Sequence, residues 1–435
     1  MPATAWTTVT ATSVATYAPG TNPSVLSGVA NVANIPVGAR VIGTGVGREV
    51  YVRSRNIGAG TLELSNPLWG AAGTRTYTFD RYQYLFDFSG FDSLSRFEFV
   101  DCELQCDGLC SGVMLPPSGT TNRLADCVVN KPLDRGVTSI GTGCQGIFID
   151  RCQFLSNEQA LTAQARTTIG ININANDAKI RDNRIVRFAT FAIVAGNGHV
   201  VIGNHFFQGD EASPGVRRAG FVFSTTNVKS LLTGNYIDNS FIEWTNEHDA
   251  APANENEFSF GGLTVTGNIF TVNDVTSAFR WFVVTPYGPG HFINGLSISD
   301  NVFRTVNTSI DRVEGLDTTY ATLDFARMRN VTVEANAFNG IGQITQSPVM
   351  VQHDQNTAAE TWVIDAAAYL PFGGRARNVQ AVVPEGAITT AAGVATYAMP
   401  FAVVEQGAGG ALVNLRWPVA VQGRVQVTVR VDNPN

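Results

Sequence analysis

In the stretch "FIEWTNEHDAAPANENEF", Glu243, Glu247, His248 and Asp249 fall within seven residues, and Trp244 stands beside the first of them. Polysaccharide hydrolysis needs two carboxylates flanking the bond, about 5–5.5 Å apart for retention or about 6.5–9.5 Å for inversion. Glu243, Glu247 and Asp249 are therefore candidate acids and bases, with Trp244 and His248 as candidate sugar contacts. The competing reading is a polar loop over a buried Trp. A second group lies in "FFQGDEASPGVRRAG", where the paired carboxylates Asp210 and Glu211 sit on a Gly/Pro loop followed by Arg217 and Arg218. Folded one coil from the first cluster, these carboxylates would complete a dyad and the arginines would hold substrate. Left alone, the acids pair with their own arginines for little net energy. A third group, "RWFVVTPYGPGHF", offers Trp281, Tyr287 and His291. A lyase needs a base to take the C5 proton of a uronic acid and a neutraliser for its carboxylate, although aromatics at these spacings serve equally as core.

The elements that position these groups show in a repeat. The strings "HVVIGNHFF", "KSLLTGNYI", "GGLTVTGNIF", "GLSISDNVF" and "NVTVEANAF" share one frame. Aligned on a slot, the frame gives Asn183, Asn204, Asn235, Asn268, Asn301 and Asn336, preceded by Cys102, Cys127 and Cys152. An apolar residue lies three before each slot, from Phe99 to Val333, and another lies two after it, from Leu104 to Phe338. Nine units obey both rules, with 21 to 35 residues between slots, a solenoid spacing. Each unit reads as a short strand, a bend at Gly, Asn or Asp, and a second short strand. One coil cannot bury its own apolar face, whereas stacked coils can, at about 4.8 Å per rung. The expectation is an all-β, right-handed parallel β-helix in which like side chains form ladders. The L-x-x-L-x-L spacing of a leucine-rich repeat is absent from these units.

The expected division is 1–84, an N-terminal β module and cap with Gly-rich turns; 85–358, the parallel β-helix; and 359–435, a C-terminal β-sandwich-like unit of alternating strands such as "GRVQVTVRV". Open solenoid ends expose strand edges and call for such caps. A net charge of -7, with charged residues at only 15%, argues against nucleic acid as the main partner. No run of 18 apolar residues suits a membrane span, and the first residues lack the basic and apolar regions of a Sec signal. The chain is thus expected either in the cytoplasm or in a particle that leaves the cell. The six cysteines fall between Cys102 and Cys152 without paired C-x2-C knuckles, so they read as reduced thiols and no metal site is expected. "GTGCQG" matches G-x-G-x-x-G, but a strand follows it and not a helix, so no dinucleotide or other cofactor is expected.

Two stretches resemble known families. In "VIGTGVGREVYVRSRNIGAGTLELSNP", Gly43, Thr44, Gly45 and Val46 open, and Thr61, Leu62, Leu64, Ser65 and Pro67 close, a segment similar to the small β insert of phage tail and spike proteins. The central region resembles the pectate-lyase-like β-helix superfamily as used in phage tailspikes. More narrowly, "DRGVTSIGTGCQGIFIDRCQFLS", "GNHFFQGD", "FIEWTNEHDAAP" and "PYGPGHFINGLSISDNVFRT" look like spikes of roseobacter-type phages and gene transfer agents. The resemblance spans roughly residues 36–375 and implies a homotrimeric virion spike or fibre. Such a spike is made in the bacterial cytoplasm, sits with other virion proteins, and binds cell-surface polysaccharide with or without cleaving it. The "DFGAxGDGxxDDTxAIQxA" segment that opens many such helices is missing, which points either to a shortened chain or to replacement of the capping helix by the Gly-rich module. A free polysaccharide lyase or glycosidase and a purely structural spike remain the alternatives.

Overall fold

A computed structural model describes residues 9–20, 22–209 and 218–434. Three parallel sheets of nine strands each wind up the long axis. Sheet I holds the strands that precede the slots, from Glu98–Val100 to Arg329–Glu334, and sheet II those that follow, from Glu103–Gln105 to Ala337–Asn339. Sheet III, from Tyr84–Asp87 to Glu314–Leu316, closes each coil into a triangle. The right-handed parallel β-helix is therefore present, with one more strand per coil than the repeat revealed.

Register follows the repeat rung by rung. On sheet I, Phe99, Leu124, Ile149, Ile180, Val201, Leu232, Val265, Ile298 and Val333 pair in succession. On sheet II the succession runs from Leu104 and Val129 to Phe303 and Phe338. Phe270 and Phe303 stack at 4.8 Å within the coil. From Asn204 to Asn336 each side-chain oxygen accepts from the backbone and side-chain N–H of the Asn one coil earlier, at 2.9–3.0 Å, and Asn183 accepts from the Cys152 N–H at 2.8 Å. The left-handed residue is the one before the slot. It is Asp or Gly in seven units, but Arg151 (φ 50°) and Ala335 (φ 55°) adopt the same bend, where a side chain costs roughly 1–2 kcal/mol.

The N-terminal module is a six-stranded antiparallel sheet around Tyr17, Leu26, Val41, Leu62, Tyr77 and Phe79. It lies along the outer face of sheet III more than across the end of the first coil. Gly38 meets Met114 near the first coils, and Trp69 meets Tyr287 and Tyr320 near the last. At the first coil itself, Phe86, Phe91, Val100 and Cys102 stay exposed. The other five cysteines are buried and all six are free thiols. Two oppositely signed neighbours pin the module. Glu49 takes a two-pronged bond from Arg135 of sheet III, at 2.9 and 3.1 Å. Arg48 reaches the carboxylates Glu243 and Glu247. Because each bond demands the opposite charge on the solenoid, the pair fixes both position and direction of the module.

At the far end, Val349–Asp365 and Leu412–Arg430 form a long antiparallel hairpin joined by Asn378–Pro384, Thr389–Thr390 and Phe401–Gln406. Its first strand runs unbroken through position 358. The hairpin bends at register breaks between Gln355 and Thr361, which brings Trp362 against both His353 and Trp417. No helix of the described residues is long and apolar enough to cross a membrane.

Candidate functional site

Side chains alternate across a strand. In Phe241–Thr245 of sheet III, Glu243 therefore points outward and Trp244 inward, and the indole is fully buried against Phe260. Trp281 likewise sits inside the coil, between Phe279 and Phe303. Neither indole can touch a sugar, which corrects their expected role.

Glu247 and His248 follow the strand under the lip of the module. Glu247 is 2% exposed, and its carboxylate accepts from Arg48 Nε at 2.8 Å and from the Arg48 backbone N–H at 3.0 Å. Burial pushes this carboxyl up, but the charge of Arg48 and the Arg48 hydrogen bonds hold it below the usual range. His248 Nε2 donates to the Arg48 carbonyl at 2.7 Å, while Nδ1 accepts from Asn66 at 2.8 Å. That tautomer is neutral, in line with burial lowering its pKa. Gly47 lets the chains approach so closely, since a Cβ there would stand 2.6 Å from the Glu247 carbonyl oxygen. These two residues join module to solenoid instead of meeting substrate. Asp249 caps its own turn through Ala251 N–H, half-buried beside the module.

His291 is locked in place by Ser259, Asn246 and the Pro252 carbonyl, and burial lowers its pKa. Asp210, Glu211 and Arg217 lie outside the described residues. Arg218 is exposed and donates to the Gln164 carbonyl at 2.5 Å.

A groove of about 570 Å³ opens where the module's Arg40–Glu49 edge overhangs sheet III. Its walls include Arg48, Glu243, Thr285, Tyr287, Asp317 and Tyr320. A second hollow, of about 540 Å³, meets the first at Asp317 and runs past Phe241, Arg280, Arg312 and Glu314. Tyr287 stacks on Tyr320 at 4.1 Å, and Trp69 packs edge-on to both at 5.0 and 5.3 Å. Tyr287 is nearly buried, and burial, then Glu247 and Tyr320, push its phenol up. Tyr320 is 49% exposed at the rim. Register explains the floor: Glu243 pairs with Val283 and then Gly315, and Thr245 with Thr285. Asp317 continues this second row, two rungs beyond Glu243. Rung spacing and strand rise place the two acidic backbones about 12 Å apart.

Of the expected residues, the groove thus holds Glu243 at its wall, Tyr287 nearly buried against Tyr320, and Glu247 behind Arg48. The sequence reading missed Arg48, Trp69, Thr285, Asp317 and Tyr320. The outward parity of Glu243 was readable, but Arg48 and Trp69 lie nearly 200 residues earlier and meet the site only through docking of the module. Among the described residues, no three His, Cys, Asp or Glu side chains group closely enough to hold a metal ion.

No family model matches the chain, and no curated protein sequence matches it significantly. Among solved structures it is similar to a substituted tailspike protein of E. coli bacteriophage HK620 in complex with a pentasaccharide, at 11% identity and TM-score 0.37, over 78% of this chain and 69% of that one. It is also similar to the tailspike protein gp49 of Pseudomonas phage LKA1, at 11% identity and TM-score 0.30, over 98% and 82%. The structural neighbours are phage tailspikes, and a likeness this distant leaves the role of this chain to its own geometry.

Proposed function

We propose that the chain is a virion spike that recognises bacterial surface polysaccharide in the groove between module and sheet III. The observation that carries this reading is an elongated groove, more than one hollow long, with an aromatic rim and outward carboxylates on a rigid stack of strands. Aromatic faces bind the apolar faces of sugar rings, and fixed polar groups select their hydroxyls. Recognition is the primary role. Glu243 has one oxygen engaged by Arg48 at 2.8 Å, which suits an acceptor of sugar hydroxyls better than a proton donor. For a lyase, Arg48 would be the nearest neutraliser to Glu243, and it is already engaged by two carboxylates. A particle of the roseobacter phage or gene transfer agent kind is the setting we favour.

A homotrimer fits the same reading, and apolar surface supports it. Ile269 and Val302, register neighbours on the outer face of sheet II, are 45% and 41% exposed. Phe401, Met399 and Tyr397 of the C-terminal unit are more exposed still. We retain residues 1–84, 85–358 and 359–435 as the working division. Binding of the protein to bacterial surface polysaccharides, compared between wild type and Tyr320→Ala, tests the groove. At least a tenfold loss is expected, and unchanged binding places recognition elsewhere. Release of reducing ends by wild type would add cleavage, and no binding to any surface glycan would leave a purely structural spike.

A further inference from the structure

The charge of the groove specifies the class of sugar it admits. Each arginine along it faces a carboxylate, although Arg40 keeps a buried Nε without a partner. Arg48 holds Glu243 and Glu247 at 2.8 Å each. Arg40 lies 3.7 Å from Glu49 and 3.8 Å from Asp80. Arg280 bonds Asp311 and the carbonyls of Ser277 and Phe279, and Arg312 bonds Gln343 and faces Glu314 at 3.9 Å. A polyanion that drew Arg48 away from Glu247 would leave a buried carboxylate alone.

The groove also holds uncommitted acceptors. Glu243 keeps its second oxygen clear of Arg48. Asp317 gives one oxygen to the N–H and hydroxyl of Thr319 and turns the other to solvent. Between them in the stack lies Thr285, 3% exposed, a wall residue of the groove whose hydroxyl is buried without a partner. A buried hydroxyl without a partner is costly unless something completes it, and this one is positioned to be completed by a ligand.

We infer that the groove takes neutral or amino-bearing sugars, bound by donation from their hydroxyl or ammonium groups to Asp317, Glu243 and Thr285, and that it excludes polymers carrying uronic acid or phosphate. This rests on the polysaccharide reading above. Ammonium groups gain further from the electron-rich face of Tyr320.

The test is an array of purified bacterial surface polysaccharides sorted as neutral, amino-bearing or anionic, probed with the full chain and with Asp317→Asn and Thr285→Val. Asp317 is exposed and Thr285→Val keeps the shape of the side chain, so both variants should fold. The expected binders are neutral or amino-bearing, each variant weakens them at least tenfold, and carboxyl-reduction of an anionic polymer raises its binding. A strongest binder that is anionic, or a neutral binder indifferent to both variants, overturns the inference while polysaccharide recognition stands. No binding to any class overturns the recognition reading as well.

Discussion

Replacing Arg48 with Met removes the guanidinium that joins module to solenoid while keeping a stem of similar length. Glu247 then loses bonds of 2.8 and 3.1 Å to Nε, and Glu243 loses one of 2.8 Å to Nη1. The Glu247 side chain is 2% exposed and Arg48 is 37% exposed. Breaking a buried pair costs about 3–5 kcal/mol, chiefly for the charge left behind. With one partner half in water, the lower end applies, about 3 kcal/mol. A second change, Glu247→Gln, removes that stranded charge, so the double variant should recover a large part of the loss. Hydrogen exchange at residues 41–49 and 246–249 reads the seam directly, because the cost falls on local opening there. Protection should drop about 100-fold in the single variant, be partly restored in the double, and stay unchanged at the Asn column. A loss of under 1 kcal/mol, the value of an exposed pair, would refute the view that this contact holds the groove wall in place.

Three further expectations follow from the same contacts. Gly47→Ala places a Cβ 2.6 Å from the Glu247 carbonyl oxygen, so it should open the same exchange segment without altering a charge; normal protection would contradict the close approach. Asn235→Ala leaves the Asn204 N–H without its 3.0 Å acceptor and removes the 2.9 Å amide bond to Asn268. It should therefore cost about 2–4 kcal/mol, measured by denaturant unfolding. Burial lowers the pKa of His199 to about 4, so the unfolded chain binds the proton first. Stability is then full above about pH 6.5 and declines by about 3 kcal/mol towards pH 4. Glu247, whose pKa is also lowered, loses its contribution at still lower pH. Unfolding midpoints across this range check the trend, and an NMR titration showing His199 near 6.5 would refute it.

The slot frame was legible because sheets I and II each keep one face to solvent. Leu263 and Val265 alternate with Thr264 and Thr266, and Asn268 marks the turn that follows. Sheet III was not legible for the opposite reason. Ile169–Ile173 and Ala219–Phe223 are buried at every residue, and a strand covered on both faces loses the two-residue period that betrays it. Ile169, Ile193, Ala219 and Val222 form a buried cluster of their own, against which Phe241 packs. The acidic cluster at 243–249 was visible as chemistry, yet its division into the outward Glu243 and the latched Glu247 depends on Arg48, which no local spacing reveals. Tyr287 was found among aromatics, while its stacking partner Tyr320 lies one coil further on, in a turn with no marker of its own.

The amide column has a consequence for how such a molecule changes length. Its amide links run from one coil to the next, and the slots Asn235, Asn268 and Asn301 recur at intervals of 33 residues. Duplicating or excising one whole interval would lengthen or shorten the shaft by about 4.8 Å and leave both splice points chemically identical to those already present.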